Sequence, residues 1–401
     1  MNSANLRRRQ FAGVLGLALL APMAGASSAE AALGGRPRPH PVTMTLPTPT
    51  GPFPVGTMSL HLVDNARTDP WLPTRDAAAR ELMVTFWYPA RPVPEQAPAL
   101  QLPSGVAAEW QRLVEQKEEF SVEPGAVDWA ATRTHAVHRA PVRHRRGGLP
   151  VILYSPGRNL PRGFGTVLAE ELASRGYLVV AIDHTHETIA VQFPDGRVAT
   201  VLDATEEATL RALADVRVAD VRFVLDQLEK SDIADVSAVG MFGHSIGGAT
   251  AAQAMYDDPR ILAAADLDGA VGSGAEAIGS VVEDGLDRPF LLMNSMLGNH
   301  HDDVLSSLWK NLRGWHLNLQ MTSAGHYAYT DLQTQLPLIA AAGKMPADKL
   351  AGLVGDVEPA RSLRAQRAYL SAFFDVHLRH RPDRGLLNGP SAAYPEVAFI
   401  G

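Results

Sequence analysis

Apolar residues in this chain fall into short unbroken runs separated by amphipathic stretches. Val151-Ile152-Leu153-Tyr154, Leu178 to Ile182, Ser237 to Phe242, Ile261 to Leu267, Phe290 to Met293 and Trp315 to Met321 predict strands buried on both faces. Between them, a helix is expected from about Phe164 to Arg175, stopped by Gly176 in its C′ position. In a second helix Ala214, Val218, Val221, Leu225 and Leu228 are spaced four, three, four and three, which lays one apolar stripe along its inner side. Met58 to Val63 and Leu82 to Tyr88, bounded by Pro89, predict opening strands. Buried strands alternating with helices imply an α/β domain with a mostly parallel sheet covered on both faces. Residues 100–148 break the pattern and read as an insertion or lid, with a helix around Ala107 to Phe120. The domain is expected to cover 49–401, after a linker at 32–48.

In such sheets reactive groups collect at the carboxyl ends of strands. The run Val239 to Phe242 leads into Gly243-His244-Ser245-Ile246-Gly247 and then a small-residue helix, the context of a nucleophile elbow. A plain Gly-rich turn has the same letters, but the strand before and the helix after point to Ser245 as nucleophile. A serine hydroxyl needs a histidine to take its proton and a carboxylate to hold that histidine's tautomer. His326 directly follows a strand, whereas His300 and His301 sit in a polar loop, His316 in a strand, and His377 and His380 on or near the terminal helix. Asp266 and Asp268 share a strand parity, and Asp302 follows the next strand, so the residues alone leave the acid open, with position along the strand favouring Asp268. The oxyanion donors expected are the N–H groups of Ile246 and, because Pro156 has none in Ser155-Pro156-Gly157-Arg158, of Arg158. The side chains of Arg158 and Arg162 read as surface groups or as partners for a substrate phosphate or carboxylate. Asp183-His184-Thr185-His186-Glu187 reads as pocket wall.

Composition narrows the class further. The formal charge is -7 and there is no cysteine, which excludes disulfides, thiol nucleophiles and thiolate metal sites. No basic stripe invites nucleic acid, and the run Arg139 to Arg146 reads as a solvated loop. Residues 1–31 carry Arg7-Arg8-Arg9-Gln10-Phe11, an uncharged run from Ala12 to Met23 and the small residues Ala24-Gly25-Ala26, the features of a secretory leader of twin-arginine type. The apolar run is short for a membrane span, and no later segment is long enough for one.

Pro49 to Gly56, Phe86-Trp87-Tyr88-Pro89, Leu153 to Gly157, Gly243 to Gly248, Leu267-Asp268-Gly269, and His326 ahead of Asp331-Leu332 together resemble the platelet-activating factor acetylhydrolase isoform II family, especially its secreted bacterial members. The resemblance implies an α/β-hydrolase fold and selects Asp268 as the acid. It implies a serine esterase without metal or cofactor, acting on small-molecule or lipid esters such as short or oxidised sn-2 acyl groups. Pro156 stands where the animal enzymes carry a histidine, and their lipoprotein-docking helices have no counterpart, so no lipoprotein partner is expected. Competing expectations are a lipase or polyester hydrolase of the same mechanism, an acyltransferase, and a non-catalytic binding protein on this scaffold.

Overall fold

In the computed structural model, which describes residues 40–94, 96–273, 276–295 and 303–400, the buried apolar runs form the middle of one 11-stranded sheet. In chain order its strands are β1 (Val55–Thr68), β2 (Ala79–Pro89), β3 (Pro98–Leu100), β4 (Arg133–His138), β5 (Leu149–Ser155), β6 (Leu178–Asp183), β7 (Ala234–His244), β8 (Ile261–Leu267), β9 (Phe290–Asn294), β10 (His316–Met321) and β11 (Val397–Ile400). Their spatial order is β11-β10-β9-β8-β7-β5-β6-β2-β1-β4-β3. The stretch from β10 to β6 is parallel, and β2 and β11 close onto it antiparallel.

Among the described residues the helices of nine or more residues are α1 (Ser104–Gln116), α2 (Thr166–Ser174), α3 (Leu210–Leu228), α4 (Ile246–Asp257), α5 (Asp303–Asn311), α6 (Leu332–Ala341) and α7 (Pro359–Arg379). Alternate residues of β5 serve two layers: Val151 and Leu153 join the core with α3 and α4, while Ile152 and Tyr154 join the core with α2 and α7. The predicted stripe of α3 is buried throughout its length. Each such Val or Leu contributes roughly 1.5–3 kcal/mol relative to exposure, so a charged residue at Val221 would detach this helix. Gly176 does stop α2, at φ 99°.

Two expectations about organisation change. Residues 100–148 do not interrupt the sheet, because β3 and β4 extend its edge beyond β1. Their helix is Ser104–Gln116 rather than 107–120, and Trp110, Phe120 and Trp129 pack with Phe164, Leu332 and Leu336 in a third core, so the segment is anchored and not a free lid. The stretch 40–48, expected as linker, is packed. Met44 and Leu46 are 2% and 5% exposed, and backbone bridges tie Val42 to Val127 and Thr45 to Arg133. Residues His40–Gly401 accordingly form one compact unit. The expected leader at 1–31 lies outside the described residues. Among the described residues no helix is long and apolar enough to cross a membrane. The loop Arg139 to Arg146 has its charged groups in solvent.

Candidate active site

β7 hands directly to α4 through Ser245, which sits at φ 56° and ψ −131°. A non-glycine residue in that region is strained by on the order of 1–3 kcal/mol, and its surroundings enforce it. The Ser245 N–H donates to Leu267 O at 3.0 Å, and Ser245 O accepts from the N–H groups of Gly248 and Ala249. Strand and helix pass so close that a Cβ on Gly243 would run into the backbone of Gly247. Ser245 does not use its hydroxyl to cap α4, so the serine is not explained as an N-cap.

Adjacent parallel strands end level with one another. His244 pairs with Leu267 and Leu267 with Met293, so Ser245 and Asp268 are the first residues past neighbouring strand ends. Asp268 is also left-handed, at φ 59°. Its Oδ2 lies 2.6 Å from His326 Nδ1 and its Oδ1 accepts the Ser295 N–H at 2.6 Å. An ionised carboxylate only accepts, so Nδ1 carries the proton and Nε2 is left as the basic nitrogen. His326 lies in a one-turn helix, His326–Tyr329, with its side chain 40% exposed. No hydrogen bond joins Ser245 Oγ to His326 among the described residues. What brings them together is His244, whose Nε2 donates to His326 O at 2.9 Å while the two imidazoles pack at 4.6 Å.

Asp266 has a different setting. It is fully buried, its Oδ1 accepts the Gly269 N–H at 2.7 Å, and its Oδ2 has no partner among the described residues. Burial pushes its carboxyl well above the usual range, against the Gly269 hydrogen bond, and the nearby Asp268 adds to the rise. The shared strand parity ends at Leu267, because the left-handed turn at Asp268 swings that side chain away from its neighbour's direction. His300, His301 and Asp302 lie outside the described residues. His316 packs on Trp309, His377 on Trp315, and His380 caps α7.

The loop after β5 faces the elbow. Neither the N–H of Ile246, first residue of α4, nor that of Arg158 has a protein acceptor among the described residues. A Cβ on Gly157 would meet His244 Nδ1 at 2.8 Å, so this glycine lets the loop lie against the elbow.

Comparison with known proteins agrees with this architecture. A family model described as platelet-activating factor acetylhydrolase, isoform II, matches residues 41–195. A protein of Arthroderma benhamiae named "Probable 1-alkyl-2-acetylglycerophosphocholine esterase" is 33% identical over 266 residues, which is 63% of this chain and 66% of that protein's own length. The match thus spans just under two thirds of that relative. The chain belongs to the platelet-activating factor acetylhydrolase isoform II family. A solved ferulic acid esterase from Streptomyces cinnamoneus is 35% identical, with a TM-score of 0.76 over 89% of this chain and 99% of that one. The fold is that of the α/β-hydrolases, and the protein is a hydrolase of the esterase kind.

Within this acetylhydrolase-family chain, the arginine side chains near the loop are not free for substrate. Arg158 Nη2 donates to Thr205 O at 2.6 Å and Glu206 O at 2.9 Å. Arg162, 5% exposed, binds Asp183 and Thr85, and lines a 420 Å³ cavity with Met58, Trp87 and Leu102 that includes none of Ser245, Asp268 and His326. The segment Asp183 to Glu187 is more than wall. It feeds a buried set of charges comprising His184, Glu187, Arg217, Asp220, Arg80 and Asp69. A signal for two of them was present in α3: Leu213, Arg217, Asp220 and Val224 are spaced four, three and four, a second inward stripe beside the apolar one.

Proposed function

We propose that the chain is an exported serine esterase that cleaves short-chain esters through an acyl-enzyme, with 2-acetyl or oxidised-acyl phospholipids among its substrates. The observation that carries this reading is the 2.6 Å pair of Asp268 and His326 beside a strained elbow serine whose hydroxyl does not cap its helix. Ser245 Oγ attacks the ester carbonyl carbon while His326 Nε2 takes its proton. The carbonyl oxygen, now an anion, lies toward the N–H groups of Ile246 and Arg158. Collapse breaks the bond to the alcohol, which leaves with the proton from His326. Water then attacks the acyl-serine with His326 again as base, releasing the acid and restoring Ser245. Asp268 stays ionised throughout and holds Nδ1–H.

A fluorophosphonate that labels Ser245 in the parent and nothing in Ser245→Ala supports this mechanism. Labelling elsewhere, or turnover by Ser245→Ala, overturns it. Substrate class is decided by profiling p-nitrophenyl esters of increasing length beside a 2-acetyl phospholipid. Feruloyl esters are a second arm, because the ferulic acid esterase is similar over 89% of this chain. Export rests on the leader sequence alone. The secreted form is expected to start between Ser27 and Leu33, and N-terminal sequencing that finds Met1 on a retained protein overturns it.

A further inference from the structure

Beneath the elbow, the molecule contains a second serine, histidine and aspartate joined by hydrogen bonds. Ser155 Oγ lies 2.9 Å from His184 Nε2, and His184 Nδ1 lies 3.0 Å from Asp220 Oδ2. All three are fully buried. Their protons are placed by the partners. Arg80 clamps Asp220 with Nη2 to Oδ2 at 2.7 Å and Nε to Oδ1 at 3.1 Å, so Asp220 is an acceptor and His184 Nδ1 carries the proton. His184 Nε2 then accepts from the Ser155 hydroxyl, whose oxygen in turn receives Arg217 Nη1 at 3.3 Å. Burial first, and the charge of Arg217 next, push His184 down to about 4, so the ring stays neutral at ordinary pH. Burial alone would raise Asp220, but Arg80 and the His184 hydrogen bond outweigh it and hold the carboxyl well below the usual range.

A serine so placed has a base and an orienting acid, yet no substrate reaches a fully buried hydroxyl. The chain of bonds ends instead on the loop that follows β5. Arg217 Nη1 donates to Pro156 O at 2.6 Å, and Arg217 Nε is held by Glu187 Oε2 at 2.6 Å. A Cβ on Gly247 of α4 would strike Ser155 O, so the elbow helix rests directly on that peptide. Backbone bonds Asn159 N to Glu187 O at 3.3 Å and Ile189 N to Asn159 O at 3.2 Å complete the clamp. The two peptide planes ahead of Gly157-Arg158 are thus held by Arg217 and by the elbow helix together.

We propose that Ser155, His184 and Arg217 are positioning residues that set the Arg158 N–H at the height where the oxyanion forms over Ser245. This rests on the serine-esterase reading above. Its test measures kcat, KM and the Ki of an aryl trifluoromethyl ketone, which adds to the active serine and places an oxyanion in the hole. Ser155→Ala removes only a hydroxyl. It is expected to lower kcat about 10-fold or more, leave KM within about 2-fold, and raise Ki in proportion to the loss of kcat/KM.

His184→Gln and His184→Asn separate positioning from charge satisfaction. A glutamine places an acceptor near the former Nε2, toward Ser155, and an asparagine places a donor near the former Nδ1, toward Asp220. Positioning predicts that glutamine retains more kcat and tighter ketone binding than asparagine, even if asparagine has the higher Tm. The proposal is overturned if folded Ser155→Ala keeps the parent's kcat and Ki, if it loses kcat with Ki unchanged, or if asparagine outperforms glutamine in both measurements. Should neither His184 variant fold, the Ser155→Ala result decides. A fluorophosphonate adduct on Ser155 instead of Ser245 overturns the underlying mechanism, whereas a Ser245 adduct with an indifferent Ser155→Ala overturns the positioning role alone.

Discussion

His244 Nε2 donates to the backbone carbonyl of His326 across 2.9 Å. The residue just before the elbow serine therefore holds the turn that carries His326, the proposed general base. Burial, and then the neighbouring His326 ring, push His244 well below the usual histidine range, so this donor keeps the same charge through neutral pH. His244→Phe preserves a ring but removes this donor from the half-buried His326 carbonyl, a loss of about 0.5–1.5 kcal/mol. We expect kcat to fall roughly 10-fold through displacement of His326, read by steady-state kinetics alongside Tm. An unchanged kcat would show that His326 needs no such tether.

Ser245 is strained at φ 56°, and strain at a reacting residue trades against stability. Both Ser245→Ala and Ser245→Gly are expected to lose on the order of 10³-fold or more in kcat. They should differ in stability, because only glycine occupies that backbone region freely. Thermal unfolding is expected to place Ser245→Gly above Ser245→Ala, and equal Tm values would mean that the elbow is relaxed.

Asp268 and Asp266 rank by what they touch. Asp268→Asn favours the wrong His326 tautomer and is expected to cut kcat by up to about 10⁴-fold. Asp266→Asn keeps the shape of a carboxyl that burial already pushes toward its neutral form, and should cost less than about 10-fold. Asp302→Asn, outside the described residues, should cost little. A larger loss for Asp302→Asn than for Asp268→Asn, in the same assay, would move the acid to the later position.

Glu170 accepts the N–H groups of His135 and Ala136 with one oxygen, and burial still raises its pKa to about 8. The unfolded carboxyl titrates near 4.5, so the folded chain binds this proton more tightly. Stability from this group is whole below about 4.5 and is lost as pH rises toward about 8. Glu170→Gln removes the ionisation. Its Tm relative to the parent is expected to climb between pH 5 and pH 8.5, and a flat difference in calorimetry would contradict the shift.

Local pattern made the parallel strands, the α3 stripe and the elbow legible, because each is written in consecutive or helix-spaced residues. The acid was harder. Period-two reasoning puts Asp266 and Asp268 on one side, and only the left-handed turn at Asp268 separates them. The short strands β3 and β4, three and six residues at one margin of the sheet, escaped because so few residues carry little apolar signal. The buried chain from Arg80 through Asp220 and His184 to Ser155 joins residues up to 140 positions apart, and no local pattern announces such pairings. Arg217 and Asp220 on the inner side of α3 were its one visible trace.

The packed stretch 40–48 sets where this polypeptide can acquire a new amino terminus. Arg367 donates to the carbonyls of Pro47 at 3.0 Å and Thr48 at 2.9 Å, and His135 Nε2 reaches Leu46 O at 2.7 Å. Proteolysis or truncation upstream of His40 leaves these bonds intact. Removal of the chain through Thr48 strips both carbonyls from a largely buried guanidinium and empties the sockets of Met44 and Leu46, turning a trim into an aggregation-prone one. These bonds thus set His40 as the downstream limit for an added tag or fusion partner.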